Sequence, residues 1–215
     1  KNYITGGYSF IGAGAFNEVK DSYSSIVAGQ GNKISKDFSF IGGGTSNEIS
    51  SSFSTIAGGI INTIKTANNC FIGGGNTNSI ESGNSSFIGG GRYNSASGGC
   101  ATIGGGKSNI ANDNYSVVGG GKQNNACFPY STIGGGANNT ASGEKSTIGG
   151  GCNNFTTAEN STVGGGRGNC ATGFGSTIAG GSSYGSGTQA WDSQATIWAI
   201  NTAYAVGTIR KLASN

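Results

Sequence analysis

Apolar and polar positions recur along this chain on a fixed beat. A β-branched residue returns at Ile11, Ile26, Ile41, Ile56, Ile72, Ile88, Ile103, Val118, Ile133, Ile148, Val163 and Ile178, in steps of 15 residues with two steps of 16. Each of these anchors closes a short alternating run, as in Tyr8-Ser9-Phe10-Ile11, and leads into glycines and a polar turn. A second apolar position follows eight residues after the anchor, at Val19, Ile34, Ile49, Ile64 and Ile80, then Ala96, Ala111, Ala126, Ala141, Thr156 and Ala171. Two short strands and two turn signals per unit predict one coil of an all-β parallel β-roll or β-solenoid. About twelve coils, stacked at about 4.8 Å each, make a rod roughly 55 to 60 Å long. The repeat domain occupies residues 1–181, with 1–7 a partial first unit, and residues 182–215 form a separate C-terminal segment.

Two further columns are polar or bare. Three residues after the anchor every unit has Gly, from Gly14 to Gly181. A column closed to all other side chains implies positive φ, or a backbone too close for a Cβ. Six residues after the anchor stand Asn17, Asn32, Asn47, Asn62, Asn78, Asn94, Asn109, Asn124, Asn139, Asn154 and Asn169, until Tyr184 breaks the series. Identical amides on successive rungs read as a structural ladder at a turn rather than as ligand groups.

Within the first strand, alternation places the anchor and the Ser, Ala or Cys two residues before it inside. The other face is apolar as well, with Phe10, Phe40, Phe71 and Phe87 one residue before the anchor, and Tyr8, Tyr23, Phe38, Phe53, Tyr115 and Tyr130 three before it. A strand apolar on both faces is covered on both. The expectation is that chains pack side by side as a parallel homotrimer, the glycines allowing close approach between chains. The second apolar column shrinks from Ile to Ala, and the position before the anchor turns to Thr102, Thr132, Thr147, Thr162 and Thr177. The expected result is a taper toward the C-terminal end, over a core thin enough that rung-to-rung bonding and partners supply much of the stability.

Composition removes many function classes. Gly contributes 44 of 215 residues, yet with one Pro and no Gly-X-Y period the chain is not collagen. A net charge of +3 gives no reason to expect nucleic acid as a partner. With no His, no grouped carboxylates and five Cys in five different columns, neither a catalytic site, a metal site nor a cofactor is expected. The Gly-Gly-Gly-Lys runs at Lys107 and Lys122 lack the spacing of a phosphate loop. No apolar run is long enough to span a membrane. A chain that begins at Lys1 and has no Met reads as a processed product or a piece of a longer one.

One charged feature stands out. Arg92, Lys107 and Lys122 take the same position, four residues after the anchor, on three consecutive coils, and Arg167 returns to it later. Such a stripe suits an anionic surface glycan; the bland alternative is an exposed turn that accepts any polar residue, as Gln30, Thr45 and Asn76 do. Asn-x-Ser/Thr sequons occur at Asn84, Asn114, Asn138, Asn154 and Asn160. The C-terminal segment, with Trp191 and Trp198 in an alternating run, reads as a cap or oligomerisation element, a receptor-contacting tip, or a joint to a neighbouring subunit.

Units such as Asn160-Ser161-Thr162-Val163-Gly164 and Lys145-Ser146-Thr147-Ile148-Gly149 resemble the Asn-Ser-Val-Ala-Ile-Gly repeats in the YadA-like heads of trimeric autotransporter adhesins, and related Gly-rich repeats of phage and viral fibre proteins. The resemblance covers residues 8–181. It implies a left-handed parallel β-roll, trimeric, displayed outside a cell or on a virion and used for attachment to a host surface. This unit departs from the family in being a residue longer, with three glycines and a fixed Asn, and neither a stalk nor an anchor accompanies it. Expected partners are the chain itself, a surface glycan or protein receptor, and neighbouring fibre subunits. The alternatives are a structural spacer or filament subunit assembling end to end, and an ice-binding solenoid using the Thr file.

Overall fold

The computed structural model describes residues 1–182, and these form a parallel β-solenoid of about twelve turns with no helix. The expected cap, tip or joint beyond Gly181 lies outside the described residues, Ser182 apart. Each coil contributes two strands of two residues. One sheet runs from Tyr3–Ile4 to Cys170–Ala171, and the facing sheet from Phe10–Ile11 to Thr177–Ile178, twelve strands in each. Every strand pairs in parallel with its equivalent one coil away, so like stacks on like: Ile26 on Ile41, Ile41 on Ile56, Ile133 on Ile148. A third file of isolated parallel bridges runs through the position four residues after the anchor.

The strands are short because a left-handed residue precedes each of them. Tyr8, Tyr23, Phe38 and Phe53, three before the anchor, have φ between 51° and 56°, and Phe16, Ser46, Ile61 and Tyr93, three before the second apolar column, have φ of 56° to 60°. The four-residue strand expected at Tyr8–Ile11 is therefore only Phe10–Ile11. Each coil consists of two similar halves: a left-handed residue, a buried polar residue, an outward residue, and an inward apolar one.

Both inward columns fill one continuous core, and from Ile26 to Ile88 every anchor is fully buried. The second column becomes Ala from Ala96 onward, Thr156 apart, forfeiting about 2 kcal/mol of burial per coil relative to Ile. The sheets close the space: in this half the Cα atoms of facing strands lie within 8 Å of one another, an approach that is sparse in the Ile-filled half. The rod narrows where the side chains shrink.

The glycine column explains the tight stacking. Gly121 has φ of 90°, and a Cβ on it would lie 2.1 Å from the carbonyl oxygen of Gly136, one coil further on. The close approach that demands glycine here is thus between coils of one chain.

Candidate functional site

The Asn column is internal. Asn124 is fully buried; its Nδ2 donates to Gly120 O in its own coil and to Gly136 O in the next, both at 2.9 Å, while its Oδ1 accepts the Asn139 N–H at 3.1 Å. The same bonds recur from Asn17 to Asn169. The ladder starts one rung earlier than the unbroken repeats suggest, at Asn2, whose Nδ2 donates to Gly14 O at 3.0 Å and whose Oδ1 accepts from Asn17 N–H. Its place 15 residues before Asn17 is the signal that identifies it. From Asn17 to Asn154 these amides are buried and bonded to protein. Asn154, one of the five sequons, is held in this ladder, whereas Asn84, Asn114, Asn138 and Asn160 are exposed.

A second ladder runs along the opposite turn. Ser24, Ser39 and Ser54 are buried two residues before the anchor; Ser39 Oγ donates to Ser51 O of the next coil at 2.9 Å, and Ser24 Oγ accepts the Ser39 N–H at 3.1 Å. Sequence reasoning placed these residues inside but missed that they cross-link coils. Serine in ten of the twelve units, broken by Cys70 and Ala101, was the available sign.

The aromatic residues form two columns rather than one strand face. Those three before the anchor stand on the left-handed turn and stack on their equivalents: Tyr8 on Tyr23, Tyr23 on Phe38 and Phe38 on Phe53, with centroids 5.0–5.1 Å apart and rings within 8° of parallel. Tyr115 and Tyr130 repeat this at 5.0 Å. Those one before the anchor point out of the sheet, and Phe71 stacks on Phe87 at 5.5 Å. Their rings lean over the glycine two residues on, since a Cβ at Gly42, Gly73 or Gly89 would come within 3.5 Å of the ring of Phe40, Phe71 or Phe87. Where Ser25 and Thr55 replace Phe, the following position carries Val27 and Ala57. Tyr8 remains 86 % exposed and Phe10 55 %. Further along, Thr132, Thr147, Thr162 and Thr177 continue the outward file in register.

Arg92, Lys107 and Lys122 are exposed and bridge to one another in the third file, Arg92 with Lys107 and Lys107 with Lys122; Arg167 is exposed four coils past Lys107. The Arg92 guanidinium lies 4.8 Å from the centre of the Tyr93 ring and donates to its hydroxyl at 3.2 Å. Lys20, Lys33, Lys65 and Lys145 have carboxylate partners. Lys33 Nζ lies 2.8 Å from Glu48, Lys65 Nζ 2.6 Å from Glu81, and Lys145 Nζ 2.8 Å from Glu144. The Lys33 hydrogen bond holds Glu48 below the usual carboxylate range, Lys65 does the same for Glu81, and burial raises the Cys70 thiol.

Among the described residues no group of His, Cys, Asp or Glu has the makings of a metal site, and no helix is long and apolar enough to cross a membrane. No family model and no curated protein matches the chain.

Proposed function

We propose that the chain is a non-enzymatic rod module that associates side by side into a parallel homotrimer and serves attachment, as the head or fibre segment of an adhesin or virion appendage at an extracellular surface. The observation that carries this reading is the aromatic exterior. The core closes within a single chain, so the Tyr and Phe columns are not needed to fill it, yet Tyr8, Tyr23, Phe38, Phe53, Tyr115 and Tyr130 are all exposed and ordered into parallel stacks. Exposed apolar stacks of this kind on a soluble rod favour a covering partner, and a second and third copy present the same stacks in the same register.

Light scattering across a dilution series tests it. The expected mass is three times the 21.2 kDa chain, falling to one chain when Tyr23, Phe38 and Phe53 are together replaced by Ser. A constant monomer overturns the trimer, and a mass that grows with concentration speaks for the end-to-end filament. The Thr file from Thr132 to Thr177 supports ice binding as a second reading, because its hydroxyl-bearing side chains repeat at the coil rise on one sheet face. Thermal hysteresis in the purified protein is its test.

A further inference from the structure

From the geometry of the cationic file we infer that the rod binds a linear polyanionic polysaccharide, with at least one charge per sugar residue, laid along its axis over Arg92, Lys107 and Lys122. This deepens the attachment reading by giving it a ligand class and a place.

Three features of the file point to a ligand. The first is the isolation of its charge. Between residues 88 and 142 the chain carries only four charged side chains, these three cations and Asp113. Asp113 lies on the opposite turn of the coil, where its Oδ1 accepts the Asn114 N–H at 2.7 Å. None of the three cations is within 4.0 Å of a carboxylate among the described residues, a state shared with Lys1, Lys36 and Arg167, whereas Lys20, Lys33, Lys65 and Lys145 all have one. Cations held about 4.8 Å apart by parallel pairing repel one another, and a row of anions at the same pitch relieves all of them together.

The second feature is the space beside the file. Two residues before each cation stand Gly90, Gly105 and Gly120, and a Cβ built on any of them meets nothing closer than 3.9 Å. Gly90 and Gly105 have φ of 155° and 159°, whereas Gly120 lies outside the positive-φ region, as do Ala13 and Ala28 at the same position in the first two coils. The outcome is a strip of bare backbone running alongside the charges. The third is the next column, where Tyr93 and Gln123 are exposed on left-handed turns beside Arg92 and Lys122, supplying an aromatic ring and an amide of the kinds that contact sugar rings and hydroxyls.

Pitch selects the class. Duplex DNA carries one charge per roughly 1.7 Å of axis, far denser than one per coil, whereas a sugar residue in an extended chain spans a length comparable with the coil rise.

The test measures binding of the full chain to heparin, to an uncharged dextran of similar length, and to a DNA duplex. Heparin is expected to bind and dextran not to. Arg92→Gln, Lys107→Gln and Lys122→Gln together are expected to weaken heparin binding at least about tenfold and to flatten its log–log salt dependence by roughly one per cation removed. Removing the same charge off the file, with Lys20→Gln, Lys36→Gln and Lys65→Gln, is expected to change it less than about twofold. Gly120→Leu, which fills the strip beside Lys122 at a position without positive φ and leaves the core untouched, is expected to weaken binding with an unchanged melting profile. Equal losses from the two triple variants, full binding by the filled-strip variant, or tighter binding of DNA than of heparin would each overturn the inference. Light scattering on the same samples separates the two proposals: a monomer that binds heparin through these residues removes the trimer alone, and a trimer that ignores heparin removes the polysaccharide alone.

Discussion

The two turns of each coil solve one problem with different side chains. On one turn Asn reaches a carbonyl in its own coil and another in the next, while accepting the N–H of the following Asn. On the other turn Ser has a single proton to give, so its reach to the next coil is thinner. The consequences are visible in what each turn tolerates. The Asn column is unbroken from Asn2 to Asn169, whereas the Ser column admits Cys70 and Ala101. Both extra residues of the chain fall on the Ser side too, between Ile64 and Cys70 and between Ile80 and Ser86, without disturbing register on the far side, where Asn62, Asn78 and Asn94 stay bonded in series. Bonding capacity sets how much variation a turn absorbs.

The sharpest way to break this comparison is to remove one member of each ladder. Asn124→Ala deletes both Nδ2 bonds and strands the buried Asn139 N–H, an expected loss of about 4 kcal/mol, read as a lower urea midpoint and faster amide exchange at Asn139. Ser39→Ala deletes one donated bond and a longer accepted one from Ser54 N–H, and is expected to cost about 2 kcal/mol in the same measurement. Equal losses at the two positions would show that the turns do not differ in the way described. The smallest effect has the opposite sign. Ile61 is a half-exposed β-branched residue held at φ 56° in a column that Asn138 and Asn153 also occupy, and Ile61→Asn is expected to stabilise by roughly 1 kcal/mol by relieving left-handed strain. A lower midpoint for that variant would mean Ile61 contributes packing that outweighs its strain.

The solenoid, its period and its inward columns are readable from the sequence because they depend on side-chain polarity, which repeats openly. Strand length is not. Tyr and Phe have no preference for left-handed backbone, so Tyr8 and Phe38 read as strand residues; the coil geometry imposes the turn, and stacking along the column offsets part of its cost. The division of the aromatics into two columns is hidden for the same reason. The unpaired state of the stripe is likewise invisible in one dimension, since Asp113 lies six residues from Lys107 in sequence and on the far turn in space.

The backbone hydrogen bonds between coils link a residue to one about fourteen further on, as Thr132 N–H does to Ser146 O, or to one about sixteen before it, as Tyr130 N–H does to Asn114 O. Tension applied to one end therefore acts on the bonds of a single rung while those behind it are shielded. Coils peel away one at a time, and each frees about 50 Å of chain in place of about 4.8 Å of rod. Under pull such a rod behaves as a spool, lengthening about tenfold while its remaining turns keep their form.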